Sequence, residues 1–178
     1  TDDLDHKRSR SVSRVFQDPL AGTSSELTVM ENFRLAALRS KHKSPMTGLN
    51  KEFRNKVIAD ITQLGLGLEH KVDQPIGTLS GGQRQALTLL MTVMDQTDVL
   101  LMDEPSSALD PATAKTVMGL AAKISREHGL TTLLVTHNLK DAEALGDRII
   151  MLENGSVKKD LQGEDKMALS SAEIFSWF

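Results

Sequence analysis

The sequence predicts an α/β fold built on a parallel sheet. Three observations carry that prediction. Val99–Met102 (VLLM) and Thr131–Thr136 (TTLLVT) are near-solid apolar runs, too short for helices and flanked by polar turns, as buried strands of a parallel sheet require. Amphipathic stretches at helical spacing stand between the strands. The chain of 178 residues is 39% hydrophobic and 25% charged, an ordinary globular balance that fits one domain.

The elements follow in order. Residues 1–11 are polar and form a ragged start. Val12, Val15 and Phe16 mark a short strand over 12–16, stopped at Gln17-Asp18-Pro19 because proline lacks a donor and biases Asp18 away from helix. From Thr28 to about Leu38, Val29, Phe33, Ala36 and Ala37 recur at helical spacing, with Thr28 capping the first turn and Glu31 three residues on. A basic connector, Arg39 to Lys51, contains Pro45 and Gly48. A second helix runs from Lys51 to Leu64 and ends at Gly65 and Gly67. Another follows Ser80, from about Gly82 to Met94, and leads to the strand 99–102. Helix 112–127 ends at His128-Gly129 and feeds the buried strand 131–136, rich in β-favouring residues. Helix 139–145, a strand over Arg148–Leu152, a turn at Asn154-Gly155, a short strand near Val157 and a last helix from about Ser171 complete the chain.

Composition excludes several classes of function. There are no cysteines, so a disulfide scaffold, a thiol nucleophile and a thiolate zinc site are out. Aromatic residues are 3%, without tyrosine, which leaves no stacking platform for single-stranded nucleic acid. The net charge of −3 argues against a general polyanion binder, so no nucleic-acid partner is expected. The balance is uneven: residues 1–60 carry 11 basic against 8 acidic side chains, and residues 61–178 carry 10 against 16. No stretch approaches the roughly 18 apolar residues that span a bilayer.

The strongest local signal is Leu79-Ser80-Gly81-Gly82-Gln83 at a helix start. Two glycines let a ligand approach the backbone, and free N–H groups with the helix dipole favour a phosphate. A plain capped start accounts for Ser80 and Gln83 as a capping box but leaves the glycine pair unexplained. Asp103-Glu104 directly follows the strand VLLM, where ligands gather in open parallel sheets. A carboxylate there holds Mg²⁺, directly or through water, and a second positions an attacking water; an acidic strand-end turn is the plainer reading. His137 ends the next strand and is expected at the same sheet edge, although a histidine that caps or packs locally would look the same. Ser107-Ala108-Leu109-Asp110-Pro111 reads as a loop into a helix, with Asp110 as N-cap and Pro111 at N1.

Together these residues resemble the ATP-binding subunits of ABC transporters: Gln17 after an apolar strand, LSGGQ at 79–83, VLLMDE at 99–104, SALD at 107–110 and His137, in the family's order. The resemblance implies a RecA-like P-loop NTPase sheet core, a helical subdomain at about 20–95, core strands and helices at about 96–160 and a C-terminal tail at 161–178. It implies that Gln17 is the Q-loop glutamine that senses Mg²⁺ and the attacking water. By the same resemblance, Leu79, Ser80, Gly81, Gly82 and Gln83 form the signature that binds ATP held by a partner subunit. Asp103 becomes the Walker B carboxylate on Mg²⁺ and Glu104 the general base. Ser107 to Asp110 become the D-loop at the dimer interface, and His137 the switch histidine at the γ-phosphate. The implied partners are a second ATPase subunit, a transmembrane permease and a solute-binding protein, with the chain peripheral at the cytoplasmic face of the membrane. The runs QDPLAGTSSELTVMENFRLA, LGLGLEHKVDQPIGTLSGGQRQALTLLM and TTLLVTHNLKDAEALGDRIIML are similar to bacterial importer ATPases, often of amino-acid-type uptake. The 62 residues from Gln17 to Leu79 leave no room for the coiled-coil insertions of chromosome-maintenance relatives.

One family feature is missing. The P-loop pattern G-x-x-x-x-G-K-[ST] occurs nowhere in the 178 residues. Only 16 residues precede Gln17, and Thr1 is not methionine, so the chain is expected to be an N-terminally truncated subunit. Alone it is expected to bind ATP poorly, to hydrolyse it negligibly and to expose apolar sheet edges. Two other readings stay open: a soluble ABC ATPase that works without a permease, and a non-catalytic interaction protein on the same fold.

Overall fold

The computed structural model describes residues 4–39, 50–168, 173, 174 and 177. Residues 40–49 of the basic connector and most of the helix expected from about Ser171 lie outside them. The chain divides into two compact units, residues 1–133 and 134–178.

In the first unit, α1 (Asp5–Arg8) is a single turn in the segment expected to be irregular. β1 (Val12–Val15) pairs in parallel with β2 (Val99–Asp103), with Val12 opposite Val99 and Val15 opposite Met102. Register starts where Ser11 O accepts from Asp98 N at 2.8 Å and Val99 N at 3.0 Å. Val15, Leu100 and Met102 are buried, whereas Val99 and Leu101 on the other face of β2 are half-buried. α2 (Val29–Ala37) begins with the expected capping box: Thr28 Oγ1 accepts from Glu31 N at 3.2 Å and Glu31 Oε2 from Thr28 N at 2.8 Å. α3 (Lys51–Thr62) starts at Asn50, whose Oδ1 accepts from Phe53 N at 2.8 Å. Two 3-10 turns, Leu68–Lys71 and Ile76–Thr78, then lead into α4 (Gly81–Thr92).

These helices close around one apolar cluster in which Phe33, Val57, Ile61, Leu68, Ile76 and Leu87 are essentially inaccessible. Each such side chain contributes roughly 1.5–3 kcal/mol by leaving water. Arg39, just past the end of α2, ties this helical layer to the sheet. Its guanidinium donates to Ser13 Oγ, to Thr97 Oγ1 at 2.7 Å and to Gln96 O at 2.9 Å, and burial lowers its pKa. α5 (Pro111–Glu127) completes the layer behind α4.

β3 (Thr131–Val135) lies on the far side of β2 in the sheet order β1-β2-β3. The sequence predicts a buried strand here, and the structure corrects that. Leu133 is 55% and Val135 52% exposed. β3 ends the sheet order, and among the described residues Thr131, Leu133 and Val135 stay exposed, so apolar composition does not translate into burial.

In the second unit, Asn138 caps α6 (Leu139–Leu145) through Oδ1 to Lys140 N at 3.1 Å. β4 (Arg148–Glu153) and β5 (Ser156–Gln162) form an antiparallel hairpin, a separate two-stranded sheet rather than further parallel strands. Asn154 (φ 50°) and Gly155 (φ 77°) both lie in the left-handed region that a two-residue hairpin turn demands. β5 extends to Gln162, well past the short strand expected near Val157, and Arg148 grips Asp160 across the pair at 2.6 and 2.5 Å. α7 (Gly163–Met167) follows.

Candidate functional site

Parallel pairing brings the ends of β1 and β2 level, so the residues two positions past Val15 and Met102 are Gln17 and Glu104. Gln17 Nε2 donates to Glu104 Oε2 at 3.3 Å across 87 residues of sequence. One step back, Arg14 on β1 donates through Nη2 to Asp103 Oδ2 at 2.8 Å. The same guanidinium lies 4.6 Å from the Phe16 ring centroid, close enough for a cation–π contact. Gln17 is exposed and Glu104 half-buried.

Glu104 has φ +43°, a conformation that costs a non-glycine residue on the order of 1–3 kcal/mol. Ser107 restrains it: its N–H and Oγ–H both donate to Glu104 O, at 3.1 and 3.0 Å. The loop then enters α5 through Asp110, whose Oδ1 accepts from Thr113 N at 3.1 Å and Ala112 N at 3.2 Å. Hydrogen bonds from the Thr113 side chain and backbone hold the Asp110 carboxyl below its ordinary pKa.

The segment 79–83 opens α4 beside this loop. Leu79 is buried and Ser80 exposed. Gln83 N donates to Ser80 Oγ at 3.3 Å and Ser80 N to Gln83 Oε1 at 3.2 Å, a complete capping box. The two glycines have different reasons. A Cβ on Gly82 would stand 2.0 Å from Thr113 Cγ2 of α5, so close helix packing demands glycine there. A Cβ on Gly81 would meet nothing closer than Leu109 Cδ2 at 3.6 Å, so packing does not explain Gly81.

The structure thus brings Gln17, Asp103, Glu104, Ser107 and Asp110 to neighbouring strand and helix ends, with Leu79–Gln83 packed against Leu109. His137 belongs to the second unit, two residues past β3, with its side chain exposed. Asp103 and Gln17 offer oxygen ligands of the kind Mg²⁺ takes, and Asp103 already faces a cationic group in Arg14. Among the described residues, no group of three or more His, Cys, Asp or Glu could hold a metal ion by itself. Sequence reasoning misses Arg14, Thr113 and Gln85. Only Arg14 leaves a signal, as the one charge within Val12–Phe16.

A carboxylate pair, Asp103 and Glu104, thus stands at the end of β2, beside a helix start opened by glycine. The chain belongs to the ABC transporter family, whose model matches residues 1–107. It is 43% identical over 177 residues to a tyrosine transport ATP-binding protein of Clostridioides difficile, covering 98% of this chain and 69% of that protein. It is 38% identical over 141 residues to an aliphatic sulfonates import ATP-binding protein, SsuB, of Burkholderia ambifaria, covering 79% of this chain and 44% of that protein. Among solved structures, the dimeric post-hydrolysis state of the ATP-binding cassette MJ0796 with ADP and Pi superposes with a TM-score of 0.72 at 29% identity, over 91% of this chain and 69% of that one. The α/β fold with a parallel sheet is that of these cassettes.

Proposed function

We propose that the chain is the signature-bearing and hydrolytic part of an ATPase subunit that drives solute uptake through a membrane permease. The observation that carries this reading is the Gln17–Glu104 contact at level strand ends, 3.3 Å across. Residues 20–95 serve as the helical subdomain, 96–160 as catalytic core and 161–178 as a tail. Glu104 takes a proton from the attacking water, and Gln17 orients that water through its amide. Asp103 and Gln17 would hold Mg²⁺ when nucleotide is bound, where it would supply charge neutralisation at the phosphates. Ser80, Gly81 and Gly82 offer N–H and hydroxyl donors to the ATP of a partner subunit, flanked by Leu79 and Gln83. Ser107 and Asp110 shape the loop at that interface, and His137 contacts the γ-phosphate. A solute-binding protein completes an importer at the cytoplasmic face of the membrane.

The importer names of the relatives support uptake as the role, and a tyrosine-like amino acid is the solute class that the 43% relative favours. No G-x-x-x-x-G-K-[ST] loop lies within these residues, so turnover by the 178-residue chain alone is expected to be negligible. The same observation favours a second reading, a non-catalytic family member that presents its signature to a partner. No helix among the described residues is long and apolar enough to cross a membrane.

The test is uptake of labelled amino acid by native cells carrying Glu104→Gln, with purification of the tagged protein from membranes. Lost uptake and a co-purifying permease subunit are expected. Unchanged uptake with a purely soluble protein would favour the permease-free reading.

A further inference from the structure

β1 and the loop after it run back along α4, and three contacts mark the path. Ser13 Oγ donates to Thr92 O at 3.1 Å near the helix end, Gln85 Nε2 donates to Phe16 O at 3.0 Å in its middle, and Pro19 lies by Gly81 at its start. The spacings agree. Three strand residues advance about 10 Å, and the seven helical residues from Thr92 to Gln85 advance about 10.5 Å. Beyond Phe16, Gly22 lies close to Thr88, one turn from Gln85, since a Cβ there would stand 3.3 Å from Thr88 Cγ2.

Gln85 is the polar link in the middle. It is 0% exposed, and its Oε1 is buried without a hydrogen-bond partner among the described residues. The amide orientation is fixed by its neighbour, because a carbonyl oxygen requires a donor opposite it. An unpaired buried acceptor costs folding free energy that an apolar side chain of the same length would avoid. What the amide gains is the bond to Phe16 O, the carbonyl of the peptide that joins Phe16 to Gln17. Five residues back along the same helix stands Ser80.

We propose that Gln85 is a positioning residue that makes Gln17 and the segment Ser80–Gln83 of one chain move together. It rests on the reading of those two segments given under Proposed function. A shift of the Gln17 peptide toward or away from Glu104 carries the Phe16 carbonyl, and the buried amide passes that shift to α4 as a rigid body.

Hydrogen exchange on the 178-residue chain tests this without nucleotide. Gln17→Ala releases the Glu104 contact. In the otherwise unchanged chain it is expected to quicken exchange of the Arg84 and Gln85 amides at least threefold, relative to the Leu100 and Met102 amides of β2. With Gln85→Met also present, the same Gln17 substitution is expected to change that ratio by less than 1.5-fold; Gln85→Leu provides a second background. A merely structural role would shift the α4 and β2 amides alike. An equal response with and without Gln85, or no response in either, would overturn the proposal. No ATP enters this measurement, so loss of the ATPase reading would leave the result standing, and loss of the coupling would leave Glu104 chemistry untouched.

Discussion

Arg14 and Asp103 form an ion pair across neighbouring parallel strands, Nη2 to Oδ2 at 2.8 Å, with the two side chains 50% and 43% exposed. Asp103 therefore meets a positive charge supplied by its own chain. At that exposure the pair contributes about 0–1 kcal/mol. A double-mutant cycle with Arg14→Gln and Asp103→Asn in denaturant unfolding is expected to return a coupling in that range, shrinking in 1 M salt. A coupling above ~2 kcal/mol would show that the pair is far better shielded than its exposure allows.

Gly82 is held to glycine by Thr113. Gly82→Ala is expected to destabilise by about 1–3 kcal/mol through overpacking between α4 and α5. Thr113→Ser removes the methyl that a new Cβ would strike at 2.0 Å and leaves Thr113 Cβ at 3.4 Å, an ordinary contact. The double variant is therefore expected to recover most of the loss in thermal unfolding. A double variant no more stable than Gly82→Ala alone would place the clash elsewhere.

Substitution separates the capping role of Ser80 from the ligand role proposed for it. Ser80→Ala removes the cap on Gln83 N and is expected to cost about 0.5–2 kcal/mol. Ser80→Asn keeps a capping oxygen and is expected to stay within ~0.5 kcal/mol of the parent. If uptake falls in both variants while only the alanine chain melts earlier, Ser80 serves a ligand as well as the helix.

Asp110 links stability to acid. Its carboxyl is held below the ordinary value by Thr113, so the folded state favours the ionised form. That contribution is fully present above the unfolded pKa of about 3.9 and is lost as pH falls through the lower folded value. Asp110→Asn, which keeps a capping oxygen without a titrating group, is expected to flatten the stability profile below pH ~4 and leave it unchanged near neutrality. A difference that grows between pH 6 and 8 would contradict this origin.

Local chemistry made much of the fold readable. The caps at Thr28, Ser80 and Asp110 act within three residues, and capping residues and turn glycines carry their own signature in sequence. The ladder of β4 and β5 shows the limit. Ser156–Gln162 is mostly polar, and pairing with β4 rather than apolar pattern makes it a strand. TTLLVT looks buried because composition cannot reveal that β3 sits at a sheet edge. The short turns α1 and α7 and both 3-10 segments span too few residues to show a period. At the site, the motif residues were visible one by one. The Arg14–Asp103 pair and the Gln85–Phe16 bond were not, because they join positions 89 and 69 residues apart.

The role proposed for Glu104 is to activate the water that attacks ATP. The most direct measurement is phosphate release at saturating ATP and Mg²⁺ by the membrane-bound complex from native cells, with Glu104 and with Glu104→Gln, alongside nucleotide binding. A loss on the order of 10²-fold or more with ATP binding retained is expected, as for removal of a general base. Turnover within a few-fold of the parent would contradict that role and leave the Gln17–Glu104 contact a structural one.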